Sequence, residues 1–236
     1  MSKRSGGMAL FAIGDLHFGF SVNKPMSIFG ANWEGHSERI IENWQRVIGK
    51  EDTVLIPGDI SWAMKEEDAD ADLKVIQDLP GRKIFLEGNH DYWWKSASKL
   101  ERKYQGMRFL KNDCDLYENL YICGTRGWLC PNDSRFTTQD NKLYEREQIR
   151  LRLSLDSAMR KGAKEILLMM HFPPTNDRQE NSAFLEIIGE YPIRQVIYGH
   201  LHGKPSHDNG IKGEKDGVVY HLVSADYLDF CPKKII

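Results

Sequence analysis

The chain has 236 residues, of which 41% are hydrophobic and 28% charged, with a formal net charge of -2. That is an ordinary soluble composition, ample for a sizeable core. The near-neutral balance, without long single-sign runs, gives no reason to expect a polyanion-binding surface and disfavours, without excluding, long nucleic acid as a partner. No apolar stretch is long enough to span a bilayer. Residues 1–7 are basic but lack the apolar middle of a signal peptide. They are expected to be disordered, or an addition ahead of a native start at Met8. The four cysteines, Cys114, Cys123, Cys130 and Cys231, form no C-x-x-C pair and read as scattered thiols of a cytoplasmic protein. One domain over residues 1–236 is expected, because the chemistry-bearing residues run from Asp15 to His202 and an internal boundary would split them.

Residues 8–13 read as a short buried strand stopped by Gly14. The long loop over 18–35 holds four aromatic residues, and loops of that length tend to be functional or mobile. Ser37 is expected to cap a helix to about Gly49, with Ile40, Trp44, Val47 and Ile48 inward. Residues 53–57 are a second strand. A helix from Glu66, with Ala69, Leu73 and Ile76 inward, has acidic residues at the positive end of its dipole and stops at Pro80-Gly81. Residues 83–87 are a third strand, followed by a helix over 94–104. This alternation implies parallel strands with helical crossovers. Short strands near 108–110, 115–116 and 120–124 lie close enough for antiparallel pairing. After a loop over 125–139, a long helix over 140–161 puts Tyr144, Leu151, Leu155, Ala158 and Met159 on one face, with Gly162 as its stop. Residues 166–170 form a buried strand, 182–189 a helix, 195–198 a strand and 218–223 the final strand.

Five of these strand ends carry polar cargo: Gly14-Asp15-Leu16-His17, Gly58-Asp59, Gly88-Asn89-His90-Asp91, His171 and Gly199-His200-Leu201-His202. In a mainly parallel sheet the carboxyl ends form one rim, where ligands bind. Asp15 and His17 are two apart, as are His200 and His202, and in extended backbone each such pair addresses one side. The nitrogen and oxygen donors of Asp15, His17, Asp59, Asn89, His171, His200 and His202 suit manganese, iron, zinc or nickel. Seven ligands are too many for one zinc ion. They fit two divalent or mixed-valence ions at roughly 3.5–4 Å, bridged by a carboxylate, for which Asp59 is the candidate. Two divalent ions, two aspartates and one hydroxide sum to about +1, which still attracts a phosphate dianion. The expected reaction is in-line attack of the bridging hydroxide on phosphorus. His90 would act as general acid or transition-state stabiliser at the leaving oxygen, oriented by Asp91.

Taken in order, Gly-Asp-x-His, Gly-Asp, Gly-Asn-His-Asp, a lone His after a strand, and Gly-His-x-His resemble the calcineurin-like metallophosphoesterases. The resemblance runs from Ile13 to about Gly203. It implies an α/β fold, a four-layer α/β/β/α sandwich of two mixed sheets with flanking helices. It implies one metal on Asp15, His17, Asp59 and His202, and a second on Asp59, Asn89, His171 and His200. It also matches His90 to the family's proton donor. Ser61 and Trp62 depart from the common form of the second motif, in which a polar residue such as Asn follows Gly-Asp.

Arg126, between glycines in Gly124-Thr125-Arg126-Gly127, is a candidate for a two-pronged grip on substrate phosphate, alongside Asn89. Tyr92, Trp93 and Trp94 could floor a pocket, but such residues are more often core, as are Phe29 and Trp33. His36 reads as a helix start and His221 as structural; Ser224-Ala225-Asp226-Tyr227 has no role at this level. The expected function is hydrolysis of a small phosphate-ester substrate, monoester or diester. The alternative is a non-catalytic scaffold of the same fold that binds a protein partner.

Overall fold

The computed structural model describes residues 8–236, so the expectation for residues 1–7 lies outside the described residues. In chain order, β1 (Leu10–Ala12), α1 (His36–Val47), β2 (Thr53–Pro57), α2 (Glu66–Asp78), β3 (Arg82–Leu86), α3 (Ala97–Lys103) and β4 (Met107–Phe109) alternate. Strands β1 to β4 are mutually parallel neighbours. The chain then builds a second sheet from β5 (Cys114–Tyr117), β6 (Leu120–Thr125), β7 (Ile166–Met170), β8 (Ile193–Tyr198), β9 (Gly213–Lys215) and β10 (Val218–Leu222). Its order is β5-β6-β7-β8-β10-β9, with antiparallel pairs at the two edges and parallel pairs between. The last strand, β11 (Lys233–Lys234), returns to pair antiparallel with β1.

The alternation of side chains along each strand assigns the layers. Leu10, Ala12, Leu55, Ile84 and Leu86 of the first sheet meet Ile122, Leu167, Met169 and Ile197 of the second in a core between the sheets. On the other face of the first sheet, Phe11, Val54, Ile56 and Phe85 pack under Ile40 and Trp44 of α1 and Leu73 and Ile76 of α2. Outside the second sheet, Leu168, Met170 and Val196 pack under Leu151 and Leu155 of α4 (Asp140–Arg160) and Phe184 and Ile187 of α5 (Ala183–Gly189). Each sheet is therefore covered on both sides, which is why its central strands are continuous apolar runs. Each fully buried Leu or Ile contributes roughly 1.5–3 kcal/mol on leaving water. The result is an α/β/β/α sandwich of two mixed sheets. No helix of the described residues is long and apolar enough to cross a membrane, and the four cysteines are free.

Several local expectations are corrected. Strand β4 joins β3 in parallel, with Lys83 opposite Met107, rather than pairing with β5 or β6; of these three short strands only β5 and β6 form the antiparallel hairpin. Gly35 (φ 58°), not Ser37, stands at the start of α1, and Ser37 lies inside the first turn. Helix α3 begins at Ala97 because Trp93 and Trp94 are drawn into the core ahead of it. Met159 is exposed, and Glu147 and Ser154 take buried positions on α4 instead. Strand β10 is not the last, and α6 (Lys204–Asn209), β9 and β11 are additional.

The two sheets meet at their carboxyl ends. Gly14 N donates to the Val223 carbonyl at 2.7 Å, and Ala225 N to the Gly14 carbonyl at 3.0 Å. This stitches the end of β1 to the end of β10. The loops after β2 and β8 close around the join, through Asp15 N to Gly58 O (2.9 Å) and Gly199 N to His171 O (3.1 Å).

Candidate metal centre

All seven residues expected to bind metal gather at this seam. Asp15, Asp59 and His171 are buried and mutually close, and Asp15, His17 and the half-buried His202 form a second close trio. Asp15 (φ 56°), His17 (φ 47°), Asp59 (φ 52°) and His200 (φ 70°) all sit in the left-handed region. That conformation is uncommon outside glycine and clusters at functional sites. It also breaks the extended spacing, so His200 and His202 do not share one side as the sequence suggests. His200 Nδ1 lies 3.0 Å from Asn89 Oδ1, whereas His202 Nε2 lies 3.3 Å from His17 Nε2. Two glycines have a specific role here. A Cβ on Gly199 would collide with the Asp15 carboxylate, and one on Gly88 with that of Asp59. The close approach these glycines allow is thus to the rim carboxylates themselves.

The tautomers point into the seam. His171 Nδ1 is 3.0 Å from the Pro57 carbonyl. A carbonyl only accepts, so Nδ1 carries the proton and Nε2 presents its lone pair. That lone pair faces Asn89 Oδ1 at 2.7 Å and Asp59 Oδ2 at 3.5 Å. Three acceptors turned towards one another fit ligands around a cation, not a hydrogen-bond network. His202 Nδ1 donates to Asp226 Oδ1 at 2.9 Å, which likewise frees Nε2, 3.8 Å from Asp15 Oδ1. Asp59 Oδ2 lies between the two groups, 3.8 Å from His17 Nε2 and 3.5 Å from His171 Nε2. Asp15 approaches His171 only at the protonated Nδ1, 3.9 Å away. His17 Nδ1 and His200 Nε2 are buried without a hydrogen-bond partner.

Burial dominates the electrostatics. It pushes His17, His171 and His200 below the ordinary imidazole range, which keeps them neutral and able to ligate. His202 goes the other way: burial is outweighed by Asp226 and Asp15. Burial, with the Asp59 charge, raises Asp15 to about 7. Asp59 stays low because His171, His17 and His90 outweigh its burial.

The remaining expected residues divide. His90 borders the seam: its backbone N donates to Asp59 Oδ1 at 2.8 Å, and its ring packs 4.5 Å from Trp62 and 5.8 Å from His17. Asp91 does not orient it. The Asp91 carboxylate turns inward and accepts from Ile60 N (2.9 Å), Ser61 N (3.3 Å), Gly88 N (2.8 Å) and Trp93 Nε1 (3.0 Å). It is the knot that ties the β3 exit to the β2 exit. Arg126 does not line the cavity beside the seam. Its guanidinium pairs with buried Glu147 at 3.6 Å, shared with Arg146 and Arg150, and lies over the Trp128 ring. Only its backbone serves the rim, where its carbonyl accepts from His171 N and Phe172 N. Trp93 and Trp94 are core and Tyr92 is exposed. Trp33 is core, as expected, whereas Phe29 is exposed, and both line a cavity with His17, His90, His202 and Trp62. His36 does begin α1, and its Nε2 lies 3.1 Å from the His17 carbonyl. His221 is structural, 3.0 Å from Gln195.

Asp226 is the residue that sequence reading missed. Besides His202, it accepts from Gly203 N at 2.9 Å and lies 3.3 Å from His207 Nε2. The signal was present: a carboxylate a few residues past an apolar strand, as at the other rim positions.

Comparison with known proteins agrees with this geometry. The calcineurin-like phosphoesterase family profile matches residues 8–204. The Gene 66 protein of Mycobacterium phage D29 is 38% identical over 199 residues, covering 80% of this chain and 76% of that protein. The Gene 66 protein of Mycobacterium phage L5 is 39% identical over 77 residues, 33% of this chain, and the chain spans only 37% of its length. The solved phosphopantetheinyl hydrolase PptH of Mycobacterium tuberculosis superposes with a TM-score of 0.59 at 15% identity, covering 97% of this chain and 95% of that one. That likeness is one of fold. With a family match across most of its length and a seam of side chains able to hold metal, the chain belongs to the calcineurin-like phosphoesterases, metal-dependent hydrolases of phosphate esters.

Proposed function

We propose that the chain hydrolyses a small phosphomonoester or phosphodiester at a dinuclear centre. Asp15, His17, Asp59 and His202 would hold one ion, and Asp59, Asn89, His171 and His200 the other. The observation that carries this reading is the Asp59 carboxylate, placed between an imidazole of each group. The mixed nitrogen and oxygen donors suit manganese, iron, zinc or nickel. Bound ions of this kind supply positive charge for a phosphoryl oxygen and acidify water. The chain's own residues do the rest. Pro57 and Asp226 fix the two imidazole tautomers, so that each lone pair is aimed before any ion arrives. Asp59 also holds the His90 backbone, which fixes that residue at the border of the cavity. From there the imidazole is placed to donate a proton or hydrogen bond to the departing oxygen. A cytoplasmic setting suits the four thiols. The test is cleavage of p-nitrophenyl phosphate and of its bis ester by manganese-loaded protein, with metal content measured in parallel. Two equivalents of metal and cleavage of one or both esters are expected. A fully loaded protein that cleaves neither would end the reading.

A further inference from the structure

The cavity beside His90 has a volume of about 280 Å³, near the lower bound of roughly 300 Å³ for small-ligand pockets. One side is the centre itself, through His17, His90 and His202; the other is Met26, Phe29, Trp33 and Trp62. On the hydrolase reading, His90 marks the leaving-group side, so this is where the departing alcohol goes.

The two indoles of the wall are held in place by their neighbours. Trp33 is buried, edge-on to His17 (5.9 Å), His36 (5.4 Å), His202 (5.4 Å) and Phe230 (5.2 Å). Trp62 stacks on His17 with centroids 4.8 Å apart and donates its Nε1–H to Met26 Sδ at 2.9 Å. Phe29 lies parallel to Trp62 within 8°, centroids 6.2 Å apart, yet is 61% exposed. The held indoles and the exposed Phe29 ring offer aromatic faces and edges that favour a planar guest, which stacks without ordering a flexible chain. The rim is polar: Asn32 lines it, and Lys24 Nζ sits 5.3 Å from the Trp62 ring. An amide at the rim suits the edge heteroatoms of a heteroaromatic ring better than an alkyl tail.

We propose that this cavity selects phosphate esters whose leaving alcohol carries a planar heteroaromatic ring, the nucleobase of a mononucleotide being the class that fits. The proposal rests on the hydrolase reading for the direction of the leaving group, but binding tests it separately. Adenosine and ribose, two leaving alcohols that differ in the base, are titrated into manganese-loaded protein and followed by tryptophan fluorescence and calorimetry. Adenosine is expected to bind at least about 10-fold more tightly than ribose, since base stacking is worth about a factor of 10 or more. Phe29→Ala, at an exposed position, is expected to lower adenosine affinity about 5-fold, and Phe29→Tyr to keep it. In turnover, AMP is expected to outrun ribose 5-phosphate through a lower KM. Equal binding of adenosine and ribose, or adenosine affinity unchanged in Phe29→Ala, overturns the proposal whatever the hydrolysis assays show. Adenosine bound tightly in a protein that cleaves neither ester supports the ring-binding cavity and overturns the hydrolase reading instead.

Discussion

The two halves of the proposed centre are built by different means. His171 has a fully buried side chain and is aimed by a main-chain carbonyl, that of Pro57 at the end of β2. His202 is 31% exposed in its side chain and is aimed by a carboxylate, Asp226, from the segment after β10. The first half is as rigid as the sheet that carries it, and no substitution of a side chain removes its anchor. The second depends on one side chain and borders the aromatic cavity. A backbone anchor secures a ligand permanently, whereas a carboxylate anchor also raises the basicity of its histidine and leaves it open to adjustment.

That contrast can be broken or sharpened in order of expected effect. Asp59→Asn touches both halves, so both equivalents of metal and nearly all turnover are expected to go; elemental analysis that still finds two ions would remove the bridge. His90→Ala is expected to lower turnover about 10²–10⁴-fold while metal content holds, because the ring borders the seam without belonging to either group. Unchanged turnover would take away its role. Asp226→Ala is expected to weaken one equivalent of metal about 10–100-fold and spare the other. If both equivalents weaken alike, the halves are not independent.

Acid should separate the halves too. Metal binding requires neutral imidazoles. His202 is held above its ordinary value, chiefly by Asp226 and Asp15 against burial, whereas burial holds His171 and His200 below theirs. As pH falls, His202 is therefore the first to take a proton. The open-half ion is expected to leave first and the buried-half ion at lower pH, followed by metal content across the titration; simultaneous loss would contradict the asymmetry. The smallest effect is expected from Arg126→Ala. KM should stay as it was, and the stability read from urea unfolding should fall by no more than about 1 kcal/mol, because Glu147 keeps Arg150 at 2.8 Å.

Much of this was legible without coordinates. Strands β2 and β7 fall at the residues that apolar runs mark, and α4 begins at Asp140 as expected. These are local properties, since burial on both faces leaves its mark on consecutive residues. Asp91 misled because adjacency to His90 in sequence says nothing of direction. Its carboxylate faces the core, towards Gly88, Ile60 and Ser61. Arg126 misled because its partner, Glu147, sits on a helix whose buried polar face reads as ordinary solvent exposure.

The sequence by itself determined which side chains are candidate ligands and that each ends a strand, because an apolar run followed by a polar residue is a short-range pattern. Only the tertiary structure decided which imidazole joins which half and what aims it. Pro57 and His171 are 114 residues apart, and Asp226 reaches back 24 residues to His202. It alone decided, too, that Phe29, Trp33 and Trp62 face one another across a cavity. Such contacts depend on where separate segments pack, and no local periodicity records that.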